Sequence, residues 1–279
     1  MIATDQLEYI LEHAHIPEQM TSYVTAVSAA EPFLFGNFLV YRKEEQVVFV
    51  GYPLREDFQE KKMRKALGEA VRRFNPSRIE LTAPSIPTSI HSQTPPSSDQ
   101  YYRVDLAALS VSQKVRNMIN RAKRHLKVER RKTLDEDHRK LVRDFITAHP
   151  VSQQTRFIFE RIPDYVSSSA TAWVYEARNE KDELVAFDVG EMGPKHYAFY
   201  MFNFTSHDRD VPGASDLLLS EILLQATREA KHYVNLGLGI NPGVVFFKEK
   251  WGGVPFPPYS SCSYEPPGAE RLETLLQKL

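Results

Sequence analysis

The apolar and polar positions of the chain alternate between short runs of period two and longer stripes of period 3.6. "NFLVYRKEEQVVFVGYP" (37–53) sets two apolar runs around a charged turn, and "AWVYEARNEKDELVAFDVG" (172–190) repeats the arrangement, so each predicts a β-hairpin. In the first half the hairpin leads to a helix over 57–74 and a strand, "RIELT" (78–82). In the second it leads to a helix over 215–232 and a strand, "YVNLGL" (233–238), with one further strand inserted, "HYAFYMFNF" (196–204). A hairpin, a crossover helix and a returning strand make a mixed sheet flanked by helices, so the chain reads as α/β and built twice. Val111, Val115, Met118, Ile119, Ala122 and Leu126 form one helical stripe between the halves. The expected layout is an N-terminal unit over 1–109, a connecting helix over 110–133 and a C-terminal unit over 134–279.

Two stretches break the periodicity. "APSIPTSIHSQTPPSSDQ" (83–100) is rich in Pro and Ser and reads as a loop, a spacer before a lid. "VPFPPYSSCSYEPPG" (254–268) reads as a proline-rich run packed through its aromatics ahead of a terminal helix, "AERLETLLQKL".

Near the C-terminus, "INPGVVFFKEKWGG" (240–253) is a helix marked at both ends: Asn241 suits the cap, Pro242 the first helical position and Gly252 the left-handed stop. Helical spacing sets Val244, Phe247, Lys248 and Trp251 on one face, so Lys248 lies on the apolar side while Glu249 and Lys250 point elsewhere. A lysine there either covers Phe247 and Trp251 with its stem while its amine reaches water, or works on a bound anion.

Composition narrows the classes. With 279 residues, 42% of them hydrophobic, the chain can bury a large core. Its formal charge of -1 argues against a protein that coats DNA with its whole surface. Nine Lys and Arg against one acid, Glu129, nevertheless make a local positive patch from Lys114 to Lys132. That patch reads either as a solvated helix face or as the seat of a phosphate-rich partner: a coenzyme, tRNA or an anionic lipid surface touched from outside. A single cysteine, Cys262, excludes an intrachain disulfide framework, and no apolar run is long enough to span a bilayer, so the expected location is cytoplasmic. None of the nine histidines has metal-ligand spacing, and no metal is expected.

"DRDVPGASDLLLSEILLQ" (208–225) carries a small-residue turn, Gly213 and Ala214, ahead of a helix that Ser215 or Asp216 can cap. Free N–H groups at such a turn can hold a phosphate, although strand, glycine turn and helix is also ordinary punctuation. Asp188 interrupts the apolar run "LVAFDVG", where a carboxylate needs a partner or a task.

The run "VPGASDLLLSEILLQATREAKHYVNLGLGINPGVVFFKEKWGG" resembles the C-terminal acyltransferase half of the Fem-type aminoacyl transferases, which build peptidoglycan cross-bridges. "VSQKVRNMINRAKRHLKV" is similar to the Arg- and Asn-bearing helix that joins the halves of that family. "GNFLVYRKEEQVVFVGYPL" and "FKEKWGGVPFPPY" resemble the C-terminal domain of lysyl-phosphatidylglycerol synthases. Both groups carry two GNAT-like units in tandem, which would account for the duplication. The resemblance implies transfer of an acyl or aminoacyl group to an amine or hydroxyl, on a small-molecule, lipid or peptide acceptor. The donor would be an acyl-CoA or an aminoacyl-tRNA. It further implies that Lys248 matches the lysine of the family's F-K-x-K pattern and serves the donor or its oxyanion, and that Tyr200 and Asn203 line the acyl site. Asp188 would be the base for the attacking amine, and Arg209, Gly213, Ala214 and Ser215 would hold the donor's phosphate together with Arg116 and Arg121. Pro212 departs from the pattern by standing where a glycine N–H would serve coenzyme A. That departure leaves open a module of the same fold that is inactive and binds a nucleotide-bearing ligand or a protein partner.

Overall fold

A computed structural model describes residues 2–92, 95–209 and 211–266. The first unit begins with two helices, α1 (Thr4–His13) and α2 (Thr21–Ser28), separated by a 3₁₀ turn (Pro17–Gln19). Three antiparallel strands follow: β1 (Glu31–Phe35), β2 (Phe38–Lys43) and β3 (Gln46–Val50). The crossover helix α3 (Glu60–Phe74) then returns the chain to β4 (Arg78–Ala83), parallel to β3, before β5 (Ser97–Asp105). Helix α4 (Gln113–Ala122) and strand β6 (Leu126–Arg131) lead into the second unit, which opens with α5 (Glu136–Ala148), α6 (Gln153–Glu160) and α7 (Ile162–Ser168). There β7 (Ala172–Asn179), β8 (Leu184–Glu191) and β9 (Tyr197–Thr205) are antiparallel, and α8 (Ala214–Arg228) crosses to β10 (Tyr233–Leu238), parallel to β9. Helix α9 (Pro242–Lys250) and β11 (Val254–Tyr264) close the described chain.

Among the described residues all strands join one sheet, in the order β1-β2-β3-β4-β11-β5-β10-β9-β8-β7-β6. The duplication is plain in this order, because β1-β2-β3-α3-β4-β5 is repeated as β7-β8-β9-α8-β10-β11. Its equivalences differ from those expected. The hairpin 37–53 matches β8–β9 rather than β7–β8, and no strand is inserted in the second half: β1, a short strand holding Pro32, supplies the missing partner in the first. The last strands of the two units are exchanged. β11 pairs antiparallel with β4 of the first unit, and β5 pairs antiparallel with β10 of the second.

Three further expectations need correction. The stripe over 110–133 is helical only to Ala122, after which residues 126–131 form β6 against β7. Lys127, Glu129 and Arg131 alternate there, and charge on an outermost strand blocks further pairing. The loop over 83–100 gives way at Ser97 to β5, and the proline-rich run is a strand rather than an irregular segment. Pro255 and Pro258 face β5 across a register shift, and pairing of β11 with β4 starts only at Ser260. The prolines thus lie where one side of β11 has no neighbour to receive an N–H, the setting that tolerates them. The terminal helix expected over 269–279 lies outside the described residues.

On one face of the sheet α8 and α4 enclose a core of Leu217, Leu218, Ile222, Val234 and Trp251. On the other, α1 and α2 cover Ile10, Ile16, Tyr41, Tyr52 and Tyr101, and α5 to α7 cover Phe187 and Phe204.

Candidate active site

Helix α9 is built as its ends predict. The Asn241 side chain accepts the N–H of Val244 at 3.0 Å, Pro242 occupies the first turn and Gly252 takes φ +77° beyond the last. This frame turns Trp251 and Lys248 inward, leaving them 2% and 3% exposed. The Lys248 ammonium donates to the carbonyl of Leu238 and stands 6.0 Å from the centroid of the Tyr102 ring. Burial pulls its pKa down to about 7, opposed only in part by the negative charge of Asp99. It is not a snorkelling surface lysine.

The cleft beside it comes from strands that part. β9 and β10 pair over Tyr197–Phe199 and Tyr233–Asn235 and no further. β9 bulges past Val189 and Gly190, and β10 bulges after Asn235, whose side chain accepts the N–H of Gly237 at 2.7 Å. Gly237 has φ +77°, and a Cβ there would lie 3.7 Å from the Lys248 amine and 3.9 Å from the Tyr200 carbonyl oxygen. Backbone from both strands therefore walls the cleft, with one buried amine at its side. Asp99 clamps the rim by accepting from the N–H groups of Gly239 (3.1 Å) and Ile240 (2.9 Å). Ile240 has φ +62° and is 74% exposed, a strained conformation for a β-branched residue that gains nothing from burial.

Behind Tyr200 runs a polar chain. Asp188 is fully buried and accepts from the Asn203 amide at 2.5 Å, its cross-strand partner on β9, and that amide also reaches the Ser215 hydroxyl at 3.3 Å. The second Asp188 oxygen makes no hydrogen bond among the described residues, and the Tyr200 hydroxyl bears on the carboxyl. Burial pushes the Asp188 carboxyl well above the usual carboxylate range, and burial followed by the Asp188 charge pushes the Tyr200 phenol up. Lys248, Tyr200, Asp188, Asn203 and Ser215 thus belong to one neighbourhood.

The start of α8 departs from expectation. Its cap is Gly213, at φ +90°, rather than Ser215 or Asp216. A Cβ on Gly213 would lie 2.8 Å from the carbonyl oxygen of Met118, so the glycine is required by the crossing of α4, whatever else the turn does. Asp216 is a buried anchor that accepts from the Trp251 indole at 2.9 Å and from Lys250 at 2.7 Å. Lys250 is accordingly held against the protein and does not point freely into solvent.

The outlying basic residues are not gathered at the cleft by any contact. Arg209 places its backbone N–H on the Ser206 hydroxyl and its guanidinium 3.9 Å from the Glu183 carboxylate. Arg116 folds back on Gln113 and the Val111 carbonyl. Arg121 is exposed and forms no ion pair among the described residues. Sequence reasoning also missed a buried cluster on the far side of β7: His138 lies between Asp135 (2.7 Å) and Glu176 (3.1 Å). Arg131 and Arg178 reach the same Glu176 carboxylate at 2.7 and 3.2 Å. Three ligand atoms of Asp135, His138 and Glu176 lie within 4.8 Å of one another, but the two guanidiniums fill the positive role, and the cluster ties β6 and α5 to β7.

No protein-family model and no curated protein matches the sequence. Solved structures do. FemX has a TM-score of 0.64 at 10% identity, covering 100% of this chain and 99% of its own. L-PGS from Bacillus licheniformis has 0.54 at 14%, covering 99% and 95%. A tandem GNAT protein from the clavulanic acid biosynthesis pathway has 0.54 at 10%, covering 96% of each. At these identities the likeness is one of fold, and the fold is the tandem GNAT-like arrangement that the sequence motifs led us to expect.

Proposed function

We propose that the second unit transfers an acyl or aminoacyl group from an activated donor to an amine or hydroxyl. One observation carries the reading: a buried lysine with a pKa near 7 stands on the wall of a backbone-lined cleft between splayed strands. In the transfer the acceptor nitrogen or oxygen bonds to the donor carbonyl carbon as the bond from that carbon to the leaving sulfur or oxygen breaks. Protonated Lys248 steadies the oxyanion and yields its proton to the leaving group, a task suited to a group that half-titrates at neutral pH. Asp188, held by Asn203, is the candidate to receive the acceptor's proton, directly or through Tyr200. No covalent enzyme intermediate is needed.

Both donor classes are cytoplasmic, and we place the reaction there. Of the two, an aminoacyl ester fits better than a coenzyme A thioester. Pro212 offers no N–H to a pyrophosphate, and the Met118 carbonyl oxygen faces Gly213 where a phosphate would approach. The L-PGS and FemX likenesses favour lipid or peptide acceptors for the proposal. The departure at Pro212 lends weight to the second reading, a non-catalytic module of the same fold for a protein partner or a nucleotide-bearing ligand.

A thermal-shift panel separates these. An acyl-CoA present at about 100 times its Kd should stabilise the protein by roughly 2.7 kcal/mol. No shift with thioesters but a shift with an aminoacyl-nucleoside ester analogue is the expected result. A shift with adenosine nucleotides alone, and no turnover of any donor, would favour the binding module.

A further inference from the structure

On the face of the sheet opposite Lys248, the 3₁₀ turn brings Glu18 over a bed of tyrosines. The Tyr101 hydroxyl donates to Glu18 Oε2 at 2.8 Å, and the Tyr41 hydroxyl donates to the Glu18 backbone carbonyl at 2.9 Å. Tyr52 and Tyr259 pack edge-on to the Tyr101 ring, with centroids at 5.9 and 5.6 Å. Tyr23, from α2, stands beside Phe202 of β9 at 6.0 Å. Tyr41, Tyr52 and Tyr101 are buried and form the floor, while Glu18, Tyr23 and Tyr259 are partly exposed and form the mouth.

Among the described residues no lysine, arginine or histidine forms an ion pair with Glu18. Burial pushes its carboxyl above the usual range, and burial, followed by the Glu18 charge, pushes the phenols of Tyr23, Tyr52 and Tyr259 up. A half-buried carboxylate with no cation among several aromatic rings is costly as a purely structural device. The same arrangement is complementary to an organic ammonium, which donates charge-assisted hydrogen bonds to the carboxylate and gains cation–π attraction from the rings.

The cup also adjoins the cleft. Tyr101 pairs across the sheet with Leu238, whose carbonyl receives the Lys248 ammonium on the opposite face. Tyr23 packs beside Phe202 on β9, just past its bulge.

We propose that Glu18 and its tyrosines bind an ammonium group of the substrate that does not itself react. A carboxylate keeps a bound amine protonated and therefore non-nucleophilic, so the group held there must differ from the attacking one. The inference rests on the transferase reading for its role, and on the cup alone for its binding. The ammonium belongs either to an aminoacyl donor or to an acceptor that carries a second amine.

The test is an NMR titration of the full chain with ring-labelled tyrosine, using pentylamine against its neutral counterpart 1-pentanol. Pentylamine should move the Tyr101 and Tyr259 ring signals saturably and 1-pentanol should not. Glu18→Gln, which keeps the Tyr101 hydrogen bond feasible, should weaken pentylamine roughly tenfold or more. Lys248→Met should leave the titration unchanged, which separates failure of the cup from failure of the transfer site. Alaninamide and 1,5-diaminopentane then distinguish the sources: tighter binding of the first assigns the cup to an aminoacyl donor, of the second to the acceptor. An equal response to pentylamine and 1-pentanol, or to pentylamine in wild type and Glu18→Gln, overturns the proposal.

Discussion

A buried lysine is an expense at the scale of one residue, and Lys248 makes the cost measurable. Its pKa is about 7 in the fold against about 10.5 in an open chain, so at neutral pH the unfolded state binds more protons. The folded-state value is depressed, so this group opposes folding at pH 7 by on the order of 4 kcal/mol, and the opposition fades as pH rises toward 10.5. Lys248→Met keeps the stem and removes the charge. It should raise the melting temperature at pH 7, with the gap to wild type narrowing by pH 10, while any donor turnover falls. A variant that melts lower than wild type at pH 7 would mean that the Leu238 contact outweighs the desolvation. Lys250, two residues away, cannot serve as the control because it is bonded to Asp216. Lys61, exposed on α3, is the suitable one, and Lys61→Met should change neither quantity. Asp188 has the opposite sign. Its folded-state pKa is raised, so stability that is present below about pH 4 is lost as pH climbs through the raised value. Asp188→Asn should flatten that loss in urea melts recorded across pH, and an unchanged pH profile would show that the carboxyl is not strained by its burial.

The elements explain which parts of this protein could be read in advance. Helix α9 was legible because Asn241, Pro242 and Gly252 mark its ends by local chemistry, which tertiary contacts do not override. The hairpin 37–53 was legible by alternation for the same reason. β11 was not, since prolines argue against a strand unless one knows that a neighbour is missing on one side. α4 ran too far because Leu126 continues the helical stripe, and only pairing with β7 reveals that it begins a strand. At the candidate site, Lys248 and Asp188 stood out as polar residues on apolar faces, whereas Asp216 read as a helix cap and Asp99 and Glu18 carried no local signal. The crossing of α4 over α8 carries its own test. Gly213→Ala must accept φ +90° and a contact with the Met118 carbonyl, and should cost on the order of 1–3 kcal/mol in chemical denaturation. Arg116→Gln with Arg121→Gln, both exposed, should leave stability within about 0.5 kcal/mol while reducing the salt dependence of binding to a polyanionic donor. An unchanged salt slope with tRNA would remove the basic helix from the donor site.

For the whole molecule, the exchange of β5 and β11 makes each half complete the other's sheet. A fragment of residues 1–109 leaves β4 without β11, and one of residues 110–279 leaves β10 without β5. Expressed apart, neither should show a cooperative thermal transition; expressed together they should restore one, and independent folding of either fragment would contradict the exchange as a stabilising element. The two halves are not alike in chemistry. In the first unit β3 and β4 stay paired to Val50 and Thr82, and the N–H of Gly51 continues the contact at 2.6 Å, so no cleft opens where β9 and β10 part. On the proposed reading the second unit would carry the chemistry and the first would supply a wall, including Asp99, Tyr102 and the strand pairing that fixes β10.

The most direct test of this division is donor hydrolysis, in which water takes the place of the unknown acceptor and the acyl group leaves as the free acid. Purified wild-type protein and Lys248→Met are incubated side by side with a mixed aminoacyl-tRNA pool and, separately, with a panel of acyl-CoAs, and loss of the ester or thioester is followed against buffer. Wild type should consume the aminoacyl esters faster than buffer, and Lys248→Met should do so ~10²-fold more slowly than wild type. Equal rates for the two proteins, or no consumption of either donor class by wild type, would contradict the assignment of Lys248 and its cleft to acyl transfer.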